Sequence, residues 1–336
     1  MVPESTPLVD GYGRVHRDLR ISVTDRCNFR CTYCMPAEGL PWTPREDLLT
    51  YEELERVARV FVERFAFDGI RLTGGEPTVR ANLPVLVEKL SRLGVDLSLT
   101  TNGTALPLLA DDLVAAGLQR INISCDSLRA DRFAEITRRD ELAKVLDGID
   151  AAIAAGLGPV KVNAVMMRGV NDDEIIDFAR FGRDKGVTVR FIEFMPLDAQ
   201  GDWTNEQVVT QNEIVAAINA VYPLEAVAER GAAPAERWTY ADRPHGGAGA
   251  EIGVIASVTH AFCESCDRVR LTAEGMLRHC LFATRELDLR TLLRGGSSDD
   301  DLVAAIEAEV GAKWAGHQIN QVHFIRPARS MSQIGG

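Results

Sequence analysis

Short apolar runs alternate with longer amphipathic stretches over the first two-thirds of the chain. The runs at residues 19–23, 70–72, 97–99, 120–124, 160–165 and 187–192 read as six strands. Between them, residues 51–65, 84–93, 108–116, 142–155 and 173–185 place apolar side chains at helical spacing, and glycine or loop residues close several of these stretches. Strand and helix in alternation imply a parallel α/β sheet. Six units fall short of the eight that close a TIM barrel. The expected fold is therefore a partial (β/α)6 TIM-type barrel whose open side is covered by another part of the chain.

The pattern changes after a helical stretch at 213–221. Gly231-Ala-Ala-Pro-Ala-Glu236 and Arg243-Pro-His-Gly-Gly-Ala-Gly249 read as loop or linker. Beyond them come Cys263 and Cys266, a strand-turn-strand pattern over 269–277, Cys280, and helical patterns near 287–293 and 302–312. The expected division is a barrel over 1–225 and a C-terminal module over 226–336 that closes the barrel. No internal repeat is present.

Composition narrows the class. With 336 residues, 46% of them apolar, the chain can bury a large core plus an appended module. No stretch approaches the roughly 20 apolar residues that span a bilayer, and residues 1–11 lack the basic-then-apolar order of a signal peptide. A cytoplasmic protein with no membrane partner is expected. Of seven cysteines, six fall in two tight groups and Cys125 stands alone, which suits metal ligation in a reducing compartment better than disulfides. A formal charge of −12 argues against nucleic acid as a partner, because phosphate binding depends on Lys and Arg. An anionic substrate would need a local basic pocket.

The chemically distinctive residues follow the strands. They are the cysteine loop after the first strand, Thr73-Gly74-Gly75-Glu76-Pro77, Thr100-Thr101-Asn102-Gly103, Ser124-Cys125-Asp126-Ser127, Asn163 on the fifth strand, and Glu193-Phe194-Met195-Pro196. Barrels place active sites at the C-terminal ends of their strands. The sharpest signal is Cys27-Asn28-Phe29-Arg30-Cys31-Thr32-Tyr33-Cys34, a CxxxCxxC group. Iron-sulfur cubanes are normally held by four thiolates, so three leave one iron open to a small ligand. A zinc knot completed by a distant ligand is the alternative, although its pairs usually read CxxC.

This group resembles the cluster motif of the radical S-adenosylmethionine (SAM) enzymes, with Tyr33 as the aromatic residue before the last cysteine. The resemblance implies that the free iron binds the amino and carboxylate groups of SAM and delivers one electron, which yields a 5′-deoxyadenosyl radical. Glycines let backbone approach a ligand closely, and a carboxylate can meet an ammonium. In that family the Gly74, Gly75, Glu76 element binds the amino group of SAM, and Ser124 and Met195 fall where further SAM contacts are made.

The second group, Cys263, Cys266 and Cys280, has two readings on spacing alone. One is a zinc ribbon, with His260 or His279 completing a Cys3His site. The other is a second three-cysteine cluster beside Arg268 and Arg270, which lie two apart on an extended stretch and can clamp a phosphate. The whole chain is similar to the GTP 3′,8-cyclases of molybdenum cofactor biosynthesis. The similarity runs through residues 17–27, 70–77, 161–164, 190–196 and 266–272 to a terminal Gly335-Gly336.

That resemblance implies two 4Fe-4S clusters with SAM as cofactor, and guanine of GTP on the second cluster's free iron. The substrate contacts it implies are Arg20, Arg71, Thr100, Lys161, Arg190, Arg268, Val269 and Arg270. Cys27, Cys31 and Cys34, with Arg268 and Arg270, would carry catalysis. The reaction would be abstraction of the 3′ hydrogen of GTP and closure onto C8, giving 3′,8-cyclo-7,8-dihydro-GTP. Implied partners are an electron donor and the downstream cyclic pyranopterin monophosphate synthase, with the chain a monomer or homodimer. The diglycine tail would reach the active site. Two residues depart from the pattern: Asp267 stands where the family usually has Asn, and Cys125 is assigned no ligand role. The rival readings are a radical SAM enzyme acting on a peptide, and a non-catalytic iron-sulfur or zinc protein.

Overall fold

The computed structural model describes residues 5–198, 201–228, 230–243, 246–319, 321 and 324–335. Six parallel strands form its centre: β1 (Asp18–Ser22), β2 (Gly69–Thr73), β3 (Asp96–Thr101), β4 (Arg120–Ser124), β5 (Val160–Met166) and β6 (Thr188–Glu193). The helices that connect them are α1 (Tyr51–Phe65), α2 (Leu83–Ser91), α3 (Leu106–Ala115), α4 (Ala130–Thr137), α5 (Leu142–Ala154) and α6 (Ile175–Lys185), and α7 (Gln211–Val221) follows β6. The expected strands and helices all form, within a few residues of their expected limits. α4 is an addition.

α1 shows how sequence sets an element. Thr50 and Glu53 make a capping box, and Leu54, Val57, Ala58, Phe61 and Phe65 supply the buried stripe. Along the strands the side chains alternate. Leu19, Ile21, Ile70, Leu72, Leu97, Leu99, Ile121, Ile123, Val162 and Phe191 join one hydrophobic core with the helices. The opposite face carries Arg20, Arg71, Thr100, Ser124, Asn163 and Arg190, which line a cavity. A closed TIM barrel fills its interior with branched apolar side chains. This barrel is polar inside.

The described residues of the stretches read as loop or linker stay outside strands except at Glu236, but strands flank them. β7 (Leu224–Ala226), β8 (Glu236–Tyr240) and β9 (Glu251–Ile255) extend the sheet beyond β6, and β9 runs parallel to it. The other edge gains β10 (Arg268–Leu271), parallel to β1, followed by β11 (Met276–Arg278) and β12 (Leu287–Asp288). In the twelve-stranded order β12-β11-β10-β1-β2-β3-β4-β5-β6-β9-β8-β7, the eight strands from β10 to β9 are parallel. Residues 256–267 therefore carry the chain from one margin of the parallel sheet to the other. Then come α8 (Leu289–Arg294), α9 (Asp299–Gly311) and α10 (Met331–Ile334). α9 packs on α1 and on a short N-terminal hairpin, Leu8–Val9 against Val15–His16. Among the described residues no helix is long and apolar enough to cross a membrane.

Candidate active site

The loops after β1 and β2 build the smaller of two adjoining cavities, about 140 Å³, around Cys27, Cys31 and Cys34. They are tied together by backbone: Gly75 N–H donates to Thr24 C=O at 2.8 Å and Glu76 N–H to Arg26 C=O at 2.7 Å. A Cβ on Gly75 would lie 2.5 Å from the Asp25 and Arg26 carbonyl oxygens, and one on Gly74 would lie 2.6 Å from that of Thr24. Only glycine permits this approach. Glu76 is 1% exposed. Its carboxylate accepts from Thr78 N–H at 3.0 Å, and from the Thr78 and Thr101 hydroxyls and Asn102 N–H at 2.6 Å each, so it locks the loops after β2 and β3 as well as lining the cavity.

As free thiols these cysteines resist ionisation. Burial, reinforced by Glu76, pushes Cys27 up to about 12. Burial raises Cys34 to about 11 against hydrogen bonds from Ser332, and it drives Cys31 well above the thiol range. Three half-buried sulfurs lining one cavity hold thiolate charge only against a cationic partner, which is what cluster iron provides.

The larger cavity, about 250 Å³, is bounded by the inner face of the sheet and by Cys263, Cys266 and Cys280. Arg20, Arg71, Arg190, Arg268 and Arg270 line it together with Met195, which faces this cavity and not the cysteine loop. Amides and a hydroxyl aim two of the guanidinium groups: Arg190 Nε donates to Asn163 Oδ1 at 2.9 Å, another of its nitrogens to Asn122 Oδ1 at 2.6 Å, and Arg71 Nε to Ser98 Oγ at 3.2 Å. Burial and the mutual repulsion of these cations pull Arg190 down to about 9 and Arg270 to about 10. An Arg20 Nε and an Arg268 guanidinium nitrogen are buried without a hydrogen-bond partner, Arg20 Nε lying 3.7 Å from Asp18 Oδ2. Such a cluster is complete only with a polyanion in it.

Two residues assigned to substrate lie elsewhere. Lys161 lines a third cavity of about 690 Å³ that shares Arg71 and Arg190 with the larger one. Burial and Arg190 lower it to about 8. Val269 turns its side chain into the hydrophobic core, as strand alternation between two inward arginines requires, so only its backbone is available. Asp267 lines the third cavity, and its carbonyl accepts from Arg17 and Asp18 N–H at 3.0 and 3.3 Å. Cys125 is buried in the core.

The two cysteine cavities share a wall of Tyr33, Thr100, Ser124, Asp126 and Met331. Tyr33 donates its hydroxyl to Asp126 Oδ2 at 2.6 Å, and burial holds Asp126 up at about 6. The tail closes on this wall from the far side: Ser332 meets Cys34, and the Gly335 carbonyl accepts from Arg270. Gly336 lies outside the described residues. Asp126, Ser98 and Asn122 were not assigned roles from sequence, although Ser98 is in register with Arg71, Asn122 with Thr100 and Lys161, and Asp126 lies two residues beyond Ser124. Met331 and Ser332 carry no such signal.

The second cysteine group differs electrostatically from the first. Burial raises Cys263 as it does the first group, but at Cys266 Arg268 and Lys313 outweigh burial and bring it down to about 7. Cys263 accepts from His317 N–H at 3.5 Å. Among the described residues no three His, Cys, Asp or Glu side chains converge closely enough for one metal ion. A cubane does not require that, because each thiolate binds its own iron. His279, offered as a zinc ligand, pairs its Nδ1 with Glu309, and its Nε2 is buried without a hydrogen-bond partner.

Residues 21–182 match the model of the Radical SAM superfamily, and residues 187–319 match that of Molybdenum Cofactor Synthesis C. GTP 3′,8-cyclase 2 of Mycobacterium tuberculosis H37Rv is 49% identical, covering 100% of this chain and 94% of that protein. The GTP 3′,8-cyclase of Streptomyces coelicolor is 48% identical over 98% of this chain and 96% of its own. Among solved structures, Streptococcus suis SuiB bound to S-adenosylmethionine is similar in fold, with a TM-score of 0.57 at 13% identity over 89% of this chain and 69% of that one.

Proposed function

The chain belongs to the GTP 3′,8-cyclases, radical SAM enzymes of the first step of molybdenum cofactor biosynthesis, and on that premise we propose that its two cysteine cavities are the halves of one reaction chamber. Cys27, Cys31 and Cys34 hold one 4Fe-4S cluster, and Cys263, Cys266 and Cys280 hold a second. When bound, the first cluster supplies the one-electron cleavage of SAM that starts the reaction, and the second supplies an open iron for the guanine base.

The chain's own residues do the rest. Gly74, Gly75 and Glu76 shape the SAM side, and Tyr33, Thr100 and Ser124 stand where SAM and GTP meet. Arg20, Arg71, Arg190, Arg268 and Arg270 receive the triphosphate, with Lys161 at its far end. Charge-assisted bonds from arginine forks suit phosphate, and the polyanion relieves the repulsion that these cations suffer without it. The segment 256–267 and the tail cover the open side and exclude water and oxygen. The product, 3′,8-cyclo-7,8-dihydro-GTP, passes in the cytoplasm to cyclic pyranopterin monophosphate synthase, and a separate electron donor supplies the first cluster. Residues 1–225 thus hold the SAM cluster and 226–336 the second cluster, both parts contribute to the GTP pocket, and the chain is a monomer or homodimer.

One observation carries this reading: two groups of three cysteines open into cavities that share a single wall. Iron analysis after anaerobic reconstitution tests it. About eight irons per chain are expected, falling to about four when Cys263, Cys266 and Cys280 are replaced by Ala. A single zinc on the second group would contradict the reading.

A further inference from the structure

Behind the second cysteine group lies a run of buried polar side chains that neither cavity uses. Lys313, just after α9, is 4% exposed. Its ammonium meets three acceptors: the Arg268 carbonyl at 2.9 Å, His16 Nδ1 at 3.4 Å and Cys266 Sγ at 3.5 Å. His16 has no exposed surface, and its Nε2 donates to Asp10 Oδ2 at 3.0 Å, which leaves Nδ1 as the acceptor. Asp10 is also held by Arg14 Nε at 2.6 Å, and Arg14 donates onward to the Cys263 carbonyl at 2.8 Å and the Ala315 carbonyl at 2.7 Å. The N-terminal hairpin and the segment after α9 therefore close together on the cysteine loop.

Three N–H groups facing three acceptors is the arrangement of a charged ammonium. Its nearest carboxylate, Asp10, is reached only through His16. A buried ammonium without a contacting anion costs several kcal/mol, so the position favours negative charge on the adjacent sulfur. Hydrogen bonds and positive charge at cluster sulfurs are among the factors that set reduction potential.

We propose that Lys313, aimed by His16 and Asp10, is a positioning residue that holds a fixed positive charge against Cys266 and so raises the reduction potential of the cluster bound there. The inference rests on the reading that Cys263, Cys266 and Cys280 hold a cluster. The chain uses its N-terminal hairpin for this purpose, which explains why a two-strand ribbon just before β1, far in sequence from Cys263 and Cys266, carries three buried polar side chains, Asp10, Arg14 and His16.

The test uses the full chain with Cys27, Cys31 and Cys34 replaced by Ala, so that only the second site can hold a cluster. After anaerobic reconstitution, iron and sulfide are counted and a dithionite titration is followed by electron paramagnetic resonance. Lys313→Met is expected to lower the reduced-to-oxidised ratio at a fixed potential about tenfold, which is about 59 mV for one electron. Lys313→Arg is expected to restore it, and His16→Leu to shift it in the same direction by less. If Lys313→Met loses its cluster, Lys313→Gln, which keeps an N–H but no charge, decides by the same shift. No cluster in the parent chain overturns the underlying assignment. A cluster whose midpoint is the same in parent, Lys313→Met and Lys313→Gln chains overturns the inference.

Discussion

Lys161 lies among Arg71, Arg120 and Arg190, where burial and Arg190 lower it to about 8. A triphosphate favours the protonated amine, so the bound lysine has the higher pKa and GTP binding takes up a proton once pH exceeds that of the free side chain. GTP affinity is therefore expected to weaken as pH rises through about 8, by up to about tenfold per unit. Calorimetric titration across that range checks this, with Lys161→Arg flattening the profile. A wild-type profile already flat there would remove Lys161 from the phosphate site. The inward residues were largely legible because charged and apolar positions alternate, as in Leu19-Arg20-Ile21-Ser22 and Val160-Lys161-Val162-Asn163. Val269 was carried along with its neighbours, and that same alternation sends it to the core. Lys313 was illegible, since one lysine beyond a helix shows nothing of the three acceptors brought to it by distant segments.

At the scale of elements, the short helix α10 and the glycine after it act as one device. Ser330 and Gln333 form its capping box, Ser332 meets Cys34, and the Gly335 carbonyl takes a hydrogen bond from Arg270. Gly335 has φ +83, and a Cβ there would lie 2.8 Å from the Thr73 methyl. Deleting Gly335 and Gly336 is expected to abolish the GTP-derived product while leaving SAM cleavage, read as 5′-deoxyadenosine. Full activity of the truncated chain would contradict this. The barrel strands and most helices were legible from periodicity. β8 and β9 were not, because Glu-Arg-Trp-Thr-Tyr reads as polar and the glycine-rich stretch 246–249 lies between the two strands. The N-terminal hairpin pairs only two residues on each side, too few to show a period.

The whole molecule is an acidic protein, net −12, wrapped around a basic interior. That contrast selects a small polyanion at the centre and not a nucleic acid at the surface. Eight parallel strands with a margin left for residues 256–267 place one cysteine group on the barrel's own loop and Cys263 and Cys266 of the other on the strap between its edges, with Cys280 just after β11. The central claim is that SAM cleaved on one side of the shared wall acts on GTP held on the other. Anaerobic turnover of the iron-reconstituted chain with SAM, dithionite and GTP, followed by mass spectrometry, tests it most directly. The account predicts 5′-deoxyadenosine together with a cyclised GTP product. Deoxyadenosine alone, from protein with both clusters intact, would contradict the assignment of the second cavity to GTP, and neither product would contradict the enzyme.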